Sequence, residues 1–341
     1  MEIKIGMNLL LADGGMGDLV GQLVAVDHCI KHHSHVTFHT YVPDYMLEYA
    51  KHVLLRGSIV NPYSLKSKWR ADFHGRTTAW RTDHSCMRTH PVDYGFHMLA
   101  DRHIYRLKDK NYLQIRPNEI KIGKFFLPEK YVCIVTTASE PVKQMPVETI
   151  NAVIGYVLRL GYIPVFLGKE ISEAGYNKLA IKAKIIPIDY SKGINLVNKT
   201  TMLEAAAVIA GSACLVGMDG GLVHVAGSTD AHIIAGYTLV DPIHIAPIRH
   251  GGQSYRFIAI EPDLNVPNRY YQTYFSGFRE GDHRVFPQWE QSVASMTADK
   301  FIDALRRVLP CQTECLDPAS LGNSRPYLAF EESYPLQTDL S

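Results

Sequence analysis

The sequence holds no apolar run approaching the roughly 20 residues a membrane-spanning helix needs, so no segment reads as a span. It has no internal repeat and no low-complexity tract, which excludes solenoid and array architectures. Six cysteines are scattered at Cys29, Cys86, Cys133, Cys214, Cys311 and Cys315. Only Cys311 and Cys315 are close together, and no matching ligand pair sits beside them, so a zinc site is not expected. Cys133 and Cys214 fall inside apolar runs, as buried reduced thiols do, and a reducing cytoplasm fits best. The opening stretch, MEIKIGMNLLLADGG, lacks a basic lead and reads as a first strand rather than a signal peptide. There is almost no net charge (+1), and no Asp-x-Asp motif of the kind that holds a divalent cation.

What is present is a globular chain of 341 residues, 46% hydrophobic, long enough for two cores. Charge divides unevenly. Residues 1–124 hold 17 Lys and Arg against 12 Asp and Glu, a net of +5, and the remainder carries −4. The basic half suits an anionic partner, although scattered surface charge gives the same count.

The chain opens with an apolar strand, Ile3 to Leu11, then a Gly-rich turn, Gly14-Gly15-Met16-Gly17-Asp18. Leu19, Leu23, Val26 and Ile30 follow at helical spacing, and Val36–Tyr41 alternates like a strand. Residues 60–90 are polar, basic and irregular, 91–110 look helical, and 111–130 look like a link. Strands are expected at Tyr131–Val135, Ile163–Leu167, Lys184–Ile188, Ala213–Gly217 and Ile233–Tyr237. Helices lie between them, with Val147, Ile150, Ile154 and Val157 on one face, then Thr201 to Ala210, and a late helix capped by Thr297. This alternation predicts an α/β chain of two doubly wound, Rossmann-like halves. The domains are drawn at 1–125 and 126–309, with an acidic tail at 310–341.

In such sheets ligands bind beyond the carboxyl ends of the strands. Those ends deliver Asp18, then Thr136, Thr137 and Lys143, then Glu170, then Asp219, Gly220, Gly221 and His224. Two hydroxyls and an ammonium suit a phosphate, and glycines let backbone N–H groups approach an anion. The first turn has Val20 where a dinucleotide fingerprint needs its third glycine, so it suits placing Asp18 better than cradling phosphate. Each residue has an ordinary reading as well: Asp18 a helix cap, Lys143 a solvated loop lysine, His224 a core histidine.

Taken together, the segments GGMGDLVGQLVAVDHCIK, HPVDYGFHMLA, TTASEPVKQMPVETINAVIGYVLRLGYIPVFLGKE and NKTTMLEAAAVIAGSACLVGMDGGLVHVAG resemble the heptosyltransferase family, glycosyltransferase family 9. The resemblance runs over about residues 3 to 309 and implies the GT-B fold, two Rossmann-like domains facing a central cleft. It implies a catalytic base at Asp18, with Lys143 and Asp219 also in the reaction centre. It implies that Thr136, Thr137, Lys143, Gly220, Gly221 and His224 hold the diphosphate. Glu170 would meet the ribose, Met202 the base, and Asp219 the donor sugar. Acceptor contacts are expected from Gly15, Gly17, Arg76, Arg81 and Arg88. The donor would be an ADP- or UDP-sugar, with no cofactor and no metal. Two departures touch the donor's identity: Met145 stands where the family has Trp, and Gly220 where it has Ser or Thr.

The implied activity is inverting, metal-independent sugar transfer to a hydroxyl of an anionic acceptor, first of all lipopolysaccharide core or a related glycan; peripheral membrane contact is compatible with that. Trp69 and Trp80 among Lys66, Lys68, Arg70, Arg76 and Arg81 also suit nucleic acid, so transfer to hydroxymethylated bases of viral DNA is an alternative. A sugar-nucleotide epimerase of the same fold is another.

Overall fold

The computed structural model describes residues 5–13, 16–33, 36–54, 58–62, 73–76, 111–123, 125–138, 141–170, 184–238, 242, 245–249, 256–263 and 289–310. The front lobe begins with strand β1 (Ile5–Asp13), helix α1 (Met16–His32), strand β2 (Val36–Val42) and helix α2 (Leu47–Val53). Strands β3 (Ile59–Pro62) and β4 (Phe73–Arg76) complete a four-stranded parallel sheet ordered β3-β2-β1-β4. Pro62 ends an edge strand, where a missing N–H breaks no ladder. β4 is a correction to the reading of residues 60–90 as irregular. Four residues, one of them Gly75, carry too little alternation to announce a strand.

The rear lobe runs through β5 (Tyr131–Val135), β6 (Thr137–Ala138), α3 (Val147–Arg159), β7 (Ile163–Leu167), β8 (Lys184–Ile185), β9 (Ile194–Asn195) and α4 (Met202–Ala210). It continues with β10 (Cys214–Met218), α5 (Gly221–Gly227), β11 (His232–Gly236), β12 (Phe257–Ile260), α6 (Trp289–Ala294) and α7 (Ala298–Val308). Its main sheet has six parallel strands, ordered β12-β11-β10-β5-β7-β9. Numbered within the sheet, this is the dinucleotide-binding order. Lys184–Ile185 is not one of them: it is two residues long and pairs antiparallel with β6, while β9, unread in the sequence, forms the edge. Thr297 does stand at the N-cap of α7, but its side chain makes no capping bond. Thr201 makes the full reciprocal capping box with Glu204.

Period-two alternation splits the rear sheet's side chains between two cores. Ile134, Val216 and Ile234 pack with Ile150 and Val157 of α3 and Phe301 and Leu305 of α7. Cys133, Leu215 and Ile233 face the other way, into a cluster that also holds Ile209 of α4, Val223 of α5, and Leu19, Leu23 and Tyr49 of the front lobe. The lobes therefore share a core where α1 packs on α5. Cys29, Cys133 and Cys214 are buried and form no disulfide. Burial pushes Cys133 up to about 12 and raises Cys214 further, which leaves both unreactive. Residues 77–110, with the expected helix, and the tail from 311 lie outside the described residues.

Candidate active site

Strand order turns around between β5 and β10 in the rear sheet, and between β1 and β4 in the front one. Such reversals open a crevice beyond the strands' carboxyl ends. A cleft of about 730 Å³ lies there. Its front wall includes Met16 and Gly17 at the start of α1, with Asp44, Tyr45, Glu48 and Tyr49 around the start of α2. Its rear wall includes Thr137, Lys143, Glu170, Met202, Asp219, Gly220, Gly221 and His224.

The two glycine turns interlock. A β-carbon on Gly17 would fall inside the His224 imidazole, 2.8 Å from Nε2. A β-carbon on Gly221 would fall 2.6 Å from Met16 Sδ. Glycine is required at Gly17 because the ring that meets it is itself buried. The first turn of α1 is thereby pressed onto the turn that follows β10.

Asp219 is buried at the centre of the rear wall. Lys143 Nζ stands 2.9 Å from Oδ2, and His224 Nε2 stands 3.7 Å from Oδ1. Burial alone would raise the Asp219 carboxyl, but the Lys143 ammonium and the His224 ring outweigh it and hold the group well below the usual carboxylate range. Asp219 is therefore an anion at neutral pH. Lys143 comes from a short turn, Pro141–Lys143, whose Val142 carbonyl accepts a bond from the buried Thr238 hydroxyl. Ser292 of α6 in turn donates to the Thr238 carbonyl at 2.8 Å, so α6 braces the lysine from behind.

Behind His224 stands Tyr112, fully buried, its hydroxyl 2.8 Å from Nδ1. Tyr112 belongs to the segment read as a link, and a lone tyrosine there gave no signal. Arg249, also buried, donates through Nη2 to the carbonyls of Ala226, Thr229 and Ala231 and so caps the end of α5.

Farther along the cleft, the Glu170 N–H donates to Asn198 Oδ1 at 2.8 Å, and Asn198 Nδ2 reaches back to Glu170 Oε2 at 3.5 Å. Asn198 has φ of 62°, a left-handed conformation that asparagine tolerates. Glu170 and Asn198 line the same cleft as Met202 and the capped end of α4.

The structure thus gathers Gly17, Thr137, Lys143, Glu170, Met202, Asp219, Gly220, Gly221 and His224 around one cleft. It does not bring Thr136 there: that residue is fully buried and its hydroxyl donates to the Leu167 carbonyl at 3.3 Å, a structural bond. Asp18 is the third residue of α1, next to Gly17, and Arg76 ends β4; their side chains are not described. Gly15, Arg81 and Arg88 lie outside the described residues. The described front wall offers two exposed carboxylates, Asp44 and Glu48, that sequence reading did not single out. Among the described residues no group of three or more His, Cys, Asp or Glu side chains could hold a metal ion, and no helix is long and apolar enough to cross a membrane.

The sequence pattern of glycosyltransferase family 9 (heptosyltransferase) matches residues 64–266, more than half of the chain. The chain belongs to glycosyltransferase family 9. No curated protein matches this glycosyltransferase. Solved structures do. The ADP-heptose lps heptosyltransferase II of E. coli is 15% identical, with a TM-score of 0.61 over 89% of this chain and 98% of that one. A family 9 glycosyltransferase from Veillonella parvula is 14% identical, with a TM-score of 0.57 over 90% and 98%. TibC from enterotoxigenic E. coli, an iron-containing dodecamer, is 14% identical, with a TM-score of 0.63 over 90% of this chain and 77% of that one. At these identities the likeness is one of fold, and that fold is GT-B.

Proposed function

We propose that this glycosyltransferase binds a nucleoside diphosphate sugar in the cleft and transfers the sugar, with inversion, to a hydroxyl of an anionic acceptor such as lipopolysaccharide core. The observation that carries the reading is the Lys143–Asp219–His224 group at the rear switch point, its carboxylate and imidazole buried, pressed against the first turn of α1 that holds Asp18.

In this mechanism the acceptor oxygen attacks the anomeric carbon and its proton passes to Asp18. The bond from that carbon to the diphosphate oxygen breaks on the opposite face, and the diphosphate leaves with the electron pair. Lys143, the Thr137 hydroxyl and the Gly220–Gly221 backbone meet the charge that grows there, so the reading needs no metal. Asp219 keeps Lys143 in place until the diphosphate competes for it. Glu170 would take the ribose and Met202 the base. Solved structures of this fold are described with ADP and with ADP-heptose, which makes an adenine nucleotide the first donor to test. The basic front half supports an anionic acceptor, and the buried thiols fit a reducing cytoplasm.

The test is a panel of nucleotide sugars, each offered with truncated lipopolysaccharide, with hydroxymethylated DNA, or alone. A mass gain on the lipopolysaccharide is the expected result. Gain on DNA alone would move the acceptor to nucleic acid. An altered sugar nucleotide with no acceptor present would make the protein an epimerase and overturn the proposal.

A further inference from the structure

We propose that Tyr112 is a positioning residue for sugar transfer: its hydroxyl fixes the ring of His224 so that the Nε2–H faces the reaction centre. This rests on the cleft reading above, but it concerns a residue outside every motif that led to it.

Both nitrogens of the His224 ring have polar neighbours within the protein. His224 is 2% exposed and sees polar groups on both edges. Nδ1 lies 2.8 Å from the Tyr112 hydroxyl, and Nε2 faces the Asp219 carboxylate at 3.7 Å. Asp219 is an anion and can only accept, so a bare Nε2 lone pair turned toward it is disfavoured. The proton therefore sits on Nε2. In the neutral ring Nδ1 is then an acceptor, and Tyr112 donates to it. If the ring gains a second proton, the tyrosine hydroxyl rotates and accepts instead. A phenol serves both states and the phenyl ring of phenylalanine serves neither.

The 3.7 Å to Asp219 exceeds a hydrogen bond, so the Nε2–H is not committed to the carboxylate and, with the ring held in place, remains available to a phosphate oxygen in the cleft. Tyr112 cannot drift away. Its N–H donates to the Ile248 carbonyl at 2.9 Å, and Gln114 Nε2 bridges the carbonyls of Tyr112 and Gly227 at 3.1 and 3.3 Å. The rings of Tyr112 and His224 also lie nearly parallel, 25° apart with centroids at 6.0 Å.

The test has two readouts. In protein labelled with ¹⁵N-histidine and free of substrate, the His224 resonances should show a protonated Nε2 and an unprotonated Nδ1 at pH 8. The opposite tautomer in the wild-type protein overturns the proposal without any variant. In Tyr112→Phe, the Nε2–H preference should weaken, and kcat should fall about tenfold with KM for the donor changed less than about threefold. A variant with normal melting and unchanged kcat overturns the positioning role. If 3-fluorotyrosine at position 112 shifts the His224 signals, the hydroxyl and not ring packing is responsible; unmoved signals oppose the proposal. A wild-type protein that shows the expected tautomer but transfers no sugar would instead count against the transferase reading.

Discussion

Gly17 and His224 touch with no room between them: one is a backbone position in the first turn of α1, the other a buried ring on α5. Their contact joins the turn carrying Asp18 to the turn carrying Asp219. Gly17→Ala should displace the ring. We expect a stability loss of about 1–3 kcal/mol by denaturant titration, as for overpacking generally, and at least tenfold slower turnover. A fully active Gly17→Ala would show that the two turns are not mechanically coupled.

Asp18→Asn should abolish transfer while leaving nucleotide affinity within about twofold by calorimetry, since only the proton acceptor is removed. Joint loss of binding and turnover would mark Asp18 as a structural cap instead.

Lys143→Ala leaves the Asp219 carboxylate buried without its cation. Removing one partner of a buried pair costs on the order of 3 kcal/mol. The double change Lys143→Met with Asp219→Asn should recover most of that stability and none of the activity. Chemical denaturation and a transfer assay on the three proteins would check both halves.

Acid should weaken the fold through Asp219. Its carboxyl is held low in the folded protein, so its stabilisation is complete above the ordinary carboxylate range near pH 4 and is lost as pH falls below it. The stability gap between wild type and Asp219→Asn should therefore stay constant from pH 7 to 5 and narrow below pH 4.

A second pH effect sits at the link. His52 Nε2 accepts the Arg116 N–H at 2.8 Å, which requires the neutral ring. Partial burial, then the nearby Arg116 charge, lower its pKa. The neutral form is favoured on folding, so this stabilisation is full above about pH 6.5 and declines as pH falls through the folded value. His52→Gln, which can still accept that bond, should flatten the melting temperature between pH 7 and 5.

The rear lobe was legible where strands are apolar runs, as in Tyr131–Val135 and Cys214–Met218, and where a turn carries its own chemistry, as in Asp219 to His224. Two-residue strands such as Ile194–Asn195 leave no period to read. Thr136 and Thr137 look alike in sequence; alternation sends the first into the core and the second to the cleft. Tyr112, Asp44 and Glu48 reach the site through the way α2 and the link are packed, and no local pattern records such packing.

Adjacent links of the chain are tied to opposite halves of the molecule. Ile115 N–H donates to the Ser228 carbonyl of the rear lobe, and the next amide, Arg116, donates to His52 of the front. The Tyr49 hydroxyl reaches Ser228 Oγ across the same seam at 2.6 Å. Pulling the halves apart would break these bonds and bring the shared apolar cluster beneath them into water, so either half on its own would carry a wide apolar face that only the other covers.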